Sequence, residues 1–358
     1  MPLLTTTIGA YPKPDFLPVI DWFRKPGGTD DPRPTEGYQE SVAAMGAEGE
    51  ALFRRATEAV VKDQVGAGID IPTDGEVRRE NYIHYHCRHL EGFDFELLNP
   101  KAVRDGAFSA ELPSITGPVK PRDHFLTADW QLAQSFTDRP VKITLPGPMT
   151  IADTTVNLYY NDAIDLEADL ADALNHEIRA LAKAGCRWIQ IDEPVFARYP
   201  KRVLEYGLTH IERCFDGVPE SVNRALHVCC SYPDKLDRRD YPKADPKAYF
   251  EIAKALDQSS LHAVSIEDAH RHNDLSLLDN FQQTKVILGV IDISSSRIEP
   301  VEEIAARIGD ALKHNDPDRL IIAPDCGLGL LGRDLTLAKL RNLSLAAKWP
   351  APTVGTTR

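Results

Sequence analysis

The chain is poor in cysteine and has no basic block. Six cysteines in 358 residues, at 87, 186, 214, 229, 230 and 326, are too few and too irregular for a disulfide scaffold. Reduced thiols are the default, and each is open to metal or redox chemistry. The formal net charge of −13 is spread along the chain, and Lys and Arg nowhere gather into a phosphate-neutralising run, so nucleic acid and anionic membranes are poor partners. No segment approaches the ~18 apolar residues of a membrane span. The start, "MPLLTTTIGAYPKP", lacks the basic and apolar regions of a secretion signal, so a cytoplasmic protein is expected. No G-x-G-x-x-G or G-x-x-x-x-G-K-[ST] follows any apolar run, which argues against dinucleotide and P-loop nucleotide sites.

What the chain does have is a globular composition, 42% hydrophobic and 27% charged, and a repeated alternation of element types. Short β-branched runs stand at 5–9, 69–76, 141–148, 188–194, 225–230, 263–268, 286–292 and 320–326. Between them lie segments with helical spacing, such as "DLEADLADALNHEIRALAKAG", ending on Gly185 as a C-cap, and "EPVEEIAARIGDALKHN", with early carboxylates. Alternating strands and helices imply parallel strands and right-handed crossovers, and eight such units predict an α/β fold of the (β/α)8 TIM barrel type. Two segments exceed a minimal barrel: a Pro- and Gly-rich first connection over 10–45, and "HLEGFDFELLNPKAVRDGAFSAELPSITGPVKPRDHF", which predicts a β-hairpin insertion after strand 2. Both are expected over the C-terminal mouth. No linker or repeat divides the chain, so residues 1–358 are read as a single domain.

A barrel's chemistry sits at the C-terminal ends of its strands. Here those ends carry Glu76, an "LPGP" turn, Asp192 with Glu193, His227 with Cys229, Glu267, Asp292 and Cys326. Polar groups in apolar runs are costly to bury without partners, and convergence at one mouth supplies them. In a strand, His227 and Cys229 share a face while Cys230 points the other way. With Glu267 and Cys326 they offer one nitrogen, two sulfurs and one oxygen, a donor set suited to tetrahedral Zn²⁺. Taken singly, a buried Cys is a small core hydrophobe and Glu267 a helix N-terminal carboxylate. The four together favour a metal.

In order along the chain, "TTTIGAYP", "TDGEVRREN", "LPGPMTI", "IQIDEP", "HVCCSY", "SIED" and "APDCGL" resemble the catalytic barrel of the cobalamin-independent methionine synthase family, in its short single-barrel form. The resemblance covers nearly the whole chain. It implies a zinc-dependent methyltransferase acting on the thiol of homocysteine, with His227, Cys229, Glu267 and Cys326 as metal ligands. It also implies that Glu76 and Asp192 hold the homocysteine ammonium and that Ile8, Gly9 and Ala10 receive its carboxylate. The alternative for Glu76 and Asp192 is pairing with Arg78 or Arg79. Asp192 and Asp292 are the carboxylates expected in catalysis.

The donor side departs from the family pattern. Where folate-using members carry a tryptophan that stacks on the pterin, this chain has Thr154, and where they carry a histidine after the seventh strand it has Ser294 in "IDISSS". A corrinoid protein, a differently bound folate or a small methyl ether remain open as donors. Two other activities share such a zinc motif: addition of a coenzyme M-like thiol to epoxides and demethylation of methyl ethers. A third possibility is a structural zinc in a barrel that binds a partner protein. "NYIHYHCRH" holds His84, His86 and Cys87, but the segment before it reads as helical, and at i, i+2 on a helix the two imidazoles do not converge.

Overall fold

The computed structural model describes residues 2–104 and 106–348, so residues 1, 105 and 349–358 of the expected single domain lie outside it. Ten strands are present among the described residues: β1 (Leu4–Thr5), β2 (Leu90–Val103), β3 (Phe108–Pro121), β4 (Lys142–Pro146), β5 (Val156–Asn157), β6 (Trp188–Asp192), β7 (Asn223–Val228), β8 (Ala263–Ile266), β9 (Lys285–Gly289) and β10 (Leu320–Ala323). Seven of them form one parallel sheet in the order β1-β10-β9-β8-β7-β6-β4. The sheet curls until both edges reach the same segment: Thr6 bridges Ile71 and Thr73 bridges Lys142, each in parallel.

The second expected strand, 69–76, is therefore a seam and not a regular strand. Pro72 has no N–H to give a ladder, and side chains take over much of the pairing. Asp70 accepts from the Thr5 N–H and hydroxyl, at 3.0 and 2.9 Å. Gln64, on the helix Gly49–Gly66, accepts from Thr73 N at 2.9 Å and donates to Thr73 O at 2.9 Å.

Helices cover the outside of the sheet. Ala163–Ala184 starts where the Asp162 carboxylate accepts from Ile164 N and stops at Gly185, whose φ of 109° suits glycine. Val301–Ala311 carries Glu302 and Glu303 in its first turn, favourable against the helix dipole. No helix among the described residues is long and apolar enough to cross a membrane. Within the curl a separate cluster of Ile8, Ile71, Trp188, Ala225, Ala263, Ile287, Ile321 and Ala323 fills the floor.

Register sets what stands above that floor. Pro146, Asp192, His227 and Ser265 pair in sequence across β4, β6, β7 and β8, and one step earlier come Thr144, Gln190, Ala225 and Ala263. The first row is chemical, the second mostly filler. The antiparallel pair β2 and β3, joined by β5, forms a second, three-stranded sheet. Arg104, at the end of that pair, donates to Asp30 and to the Tyr232 carbonyl, tying the pair to the first connection and to the loop after β7.

Candidate active site

A ring nitrogen of His227, Cys229 Sγ and Cys326 Sγ all lie within 4.8 Å of one another. Nε2 is 3.3 Å from Cys326 Sγ, and the two sulfurs are 3.8 Å apart. His227 Nδ1 faces Ser265 Oγ at 3.0 Å, the kind of contact that fixes an imidazole's orientation. Glu267 stands at the edge of the cluster: Oε1 is 3.2 Å from Cys229 Sγ, while Oε2 accepts from Cys230 N at 2.6 Å. The Cys230 thiol points elsewhere, receiving Arg271 Nη2 at 3.3 Å.

The electrostatics of the cluster call for a cation. Hydrogen bonding to Cys326 and burial raise the Cys229 thiol well above its ordinary value, and burial together with Cys229 raises Glu267. Burial lowers His227 to about 3, leaving a neutral imidazole with a lone pair to give. The spacing is suited to zinc, since two thiolates ~2.3 Å from one tetrahedral ion stand roughly 3.8 Å apart. One nitrogen, two sulfurs and a nearby carboxylate fit the soft preferences of that ion.

Beside the cluster, in the same cavity, are Ile8, Gly9, Ala10, Glu76 and Asp192. Glu76 has φ 55°, an unfavourable backbone for a residue with a side chain, and such strain is typical of functional positions. Its Oε1 accepts from Thr144 Oγ1 at 2.8 Å and lies 3.3 Å from Arg79 Nη1, so the pairing with Arg79 set against an ammonium role is present. Arg79 is shared, with Asp74 3.6 Å from Nη2. Asp192 makes no such ion pair among the described residues and accepts from Gln190 Nε2 at 2.7 Å. Burial, then repulsion from Glu76, pushes its carboxyl up to about 8. Gly9 permits this assembly, because a Cβ there would meet Glu76 Oε1 at 2.6 Å. The N–H groups of Gly9 and Ala10 take part in no hydrogen bond among the described residues and suit an anion.

Asp292 is not brought to this cavity. After β9 the chain turns outward; Asp292 accepts from Ser294 N and Oγ at 2.8 and 2.6 Å and lines a different, surface cavity with Arg239 and Arg297. His84 and His86 sit on the short helix His84–Cys87 and diverge. His84 engages Asn81 and the Thr154 carbonyl at 3.0 Å each, His86 meets the Tyr82 carbonyl at 2.7 Å, and Cys87 is in the core. The roof supplies Trp22, Phe23, Arg104 and Phe108, while Thr154 and Arg198 complete the wall.

A family described as "Cobalamin-independent synthase, Catalytic domain" matches residues 3–349. The chain belongs to this family. It is 34% identical over 344 residues to a methionine synthase of Saccharolobus solfataricus, covering 95% of this chain and 92% of that protein. A methionine synthase of Thermococcus kodakarensis is 32% identical over 346 residues, covering 96% and 92%. Among solved structures, the B12-independent methionine synthase from Shewanella sp. W3-18-1, in complex with selenomethionine, superposes with a TM-score of 0.84 at 30% identity over 97% of each chain.

Three features of this cobalamin-independent synthase domain escape sequence reasoning. One is that Arg79, already named as an alternative partner of Glu76, is shared with Asp74. Another stands behind Glu267: His270 Nδ1 is 2.8 Å from Asp325 Oδ2, and His270 Nε2 is 4.0 Å from Glu267 Oε2. Asp325 also accepts the N–H groups of Asp268, Ala269 and His270 at 2.7 to 2.9 Å, so the residue before Cys326 moors the loop carrying Glu267. The third is the Gln190 amide beneath Asp192.

Proposed function

We propose that the protein is a zinc-dependent methyltransferase that methylates the thiol of homocysteine to give methionine. One observation carries the reading: a soft His, Cys, Cys cluster and a buried carboxylate pair share one cavity. The cluster suits a thiol and the carboxylates suit an ammonium group, and homocysteine has both. His227, Cys229, Cys326 and Glu267 would hold the zinc. When bound, the ion keeps a substrate thiol as its thiolate, the form that attacks carbon, at a pH where a free thiol of pKa ~8.5 is mostly protonated. Asp192 and Glu76 orient the ammonium, and the Gly9 and Ala10 N–H groups receive the carboxylate. The sulfur then forms its bond to the methyl carbon as the bond to the donor breaks, and the donor leaves with the electron pair.

The relatives named methionine synthase support this reading, as does the 30% identical B12-independent enzyme in complex with selenomethionine. The finer fold reading is a closed (β/α)8 barrel with a hairpin inserted after its second strand, one domain over 1–358, working in the cytoplasm. A coenzyme M-like thiol suits the cavity less well, because its sulfonate would face Glu76 and Asp192. For the donor, Thr154 offers no ring to stack on a pterin and Ser294 is turned onto Asp292, so a donor whose leaving group needs neither contact, such as a methyl corrinoid, is favoured over methyltetrahydrofolate. Free methylcobalamin serves as the probe. Zinc-edge X-ray absorption with and without homocysteine tests the core of the proposal without any donor. An added sulfur neighbour is expected, and an unchanged spectrum overturns the reading.

A further inference from the structure

At the start of β4 stands a lysine with no exposure to solvent. Lys142 is 0% exposed, and it makes no ion pair among the described residues. Burying an ammonium without a contacting counter-ion is expensive, and burial lowers this one to about 7 against the opposing pull of the nearby Asp192 carboxylate. Its one side-chain hydrogen bond among the described residues runs from Nζ to Gln190 Oε1, at 2.5 Å.

Gln190 is the link to the cavity. Its amide has a donor end and an acceptor end that differ little in shape, so packing alone does not select between its two orientations. Lys142 Nζ donates to Oε1, and in its ammonium form it has only donors and can engage no other end of the amide. Nε2 is then committed to the other side, where it donates to Asp192 Oδ1 at 2.7 Å and to Ile8 O at 2.9 Å. Asp192 Oδ2 accepts no hydrogen bond among the described residues and is left for a ligand. Reversed, the amide would set an oxygen against both the Asp192 carboxylate and the Ile8 carbonyl.

We propose that Lys142 is a positioning residue for the amino-acid end of the thiol substrate: by holding the acceptor end of the Gln190 amide, it helps to fix the amide's polarity and so sets Asp192 and the Ile8 segment after β1 in the arrangement that receives the ammonium. The inference rests on the homocysteine reading above and adds to it two residues that do not touch substrate.

The test is calorimetric binding of homocysteine and of 4-mercaptobutanoate, which keeps the thiol and the carboxylate and lacks the ammonium. Wild type, Lys142→Met and Gln190→Glu are compared with their metal in place. Gln190→Glu keeps a partner for Lys142 but removes the donor toward Asp192. In both variants homocysteine affinity falls about 10- to 100-fold, the scale of one hydrogen bond to a charged group. 4-Mercaptobutanoate affinity and metal content stay within about two-fold of wild type. Equal losses for the two thiols, or none, overturn the proposal. If Lys142→Met does not fold, Gln190→Glu decides alone on the same criterion. Failure of the homocysteine reading itself looks different, since wild type would then bind the two thiols equally well.

Discussion

Replacing one sulfur of the cluster, Cys229→Ser, removes the group that stands 3.8 Å from Cys326 Sγ and 3.2 Å from Glu267 Oε1. A serine hydroxyl is a harder and far less acidic donor, so the proposed four-ligand zinc site becomes in effect a three-ligand one. Structural zinc sites bind with about 10–16 kcal/mol, and an equal share among four ligands is about 2.5–4 kcal/mol each. Losing one share weakens zinc about 10²- to 10³-fold. Competition against a chromophoric chelator reads this directly, and in the cobalt-substituted protein the sulfur charge-transfer absorption should fall by about half, one thiolate of two being lost. Cys326→Ser behaves alike. Cys230→Ser is the control, because its sulfur faces Arg271 and only its backbone N–H, which the substitution keeps, holds Glu267. If Cys230→Ser empties the site while Cys229→Ser keeps its zinc, the facing of the β7 strand end is wrong and the ligand set with it.

Gly9→Ala puts a methyl 2.6 Å from a Glu76 oxygen already held by Thr144, so homocysteine binding weakens on the order of 10- to 100-fold with zinc content unchanged; normal affinity would show that Glu76 plays no part in binding. Asp192 has its carboxyl raised from 3.8 to about 8, so its burial costs nothing below the unfolded value, costs more as pH rises, and costs most above about pH 8. Asp192→Asn therefore raises the melting temperature more at pH 8 than at pH 5, the gain growing by about 1.4 kcal/mol per pH unit between the two values, and a gain independent of pH refutes the assignment. Side-by-side product assays should find methylcobalamin a faster donor to homocysteine than methyltetrahydrofolate; robust turnover with the folate alone would mean that other residues replace the stack and the acid missing at Thr154 and Ser294.

The meeting of His227, Cys229 and Cys326 was legible because strand period and strand end are local properties. His227 and Cys229 share parity on β7, and "APDC" ends the last apolar run at the same depth, so adjacency followed from the expected topology alone. Glu267 was legible as a neighbour of Cys229, but not as a residue held from behind by His270 and Asp325, whose meeting depends on the loops after β8 and β10. Asp292 shows the limit of the strand-end argument. Gly289 is where β9 ends, a Cβ there would collide with Asp325 at 2.3 Å, and the residues beyond it close a turn on Ser294 outside the mouth. The second strand failed for a different reason. Its apolar run reads as a strand, yet Pro72 and the competing side chains of Asp70 and Gln64 leave it only a pair of bridges. Lys142 was invisible in the sequence because a lysine opening a strand ordinarily points to water.

That seam has a consequence for how the cavity changes over generations of mutation. Elsewhere the wall is held by main-chain ladders, which nearly every substitution leaves intact because every residue but proline carries the same donor and acceptor. At 69–73 much of the holding is done by the side chains of Thr5, Asp70, Gln64 and Thr73, the last donating its hydroxyl to the Gly9 carbonyl, and a single base change can delete or restore these bonds. Glu76 hangs three residues beyond. The carriage of that carboxylate is thus written in replaceable letters at some remove from the cavity, so its reach and stiffness are heritable variables that selection can adjust without altering a residue that meets the substrate.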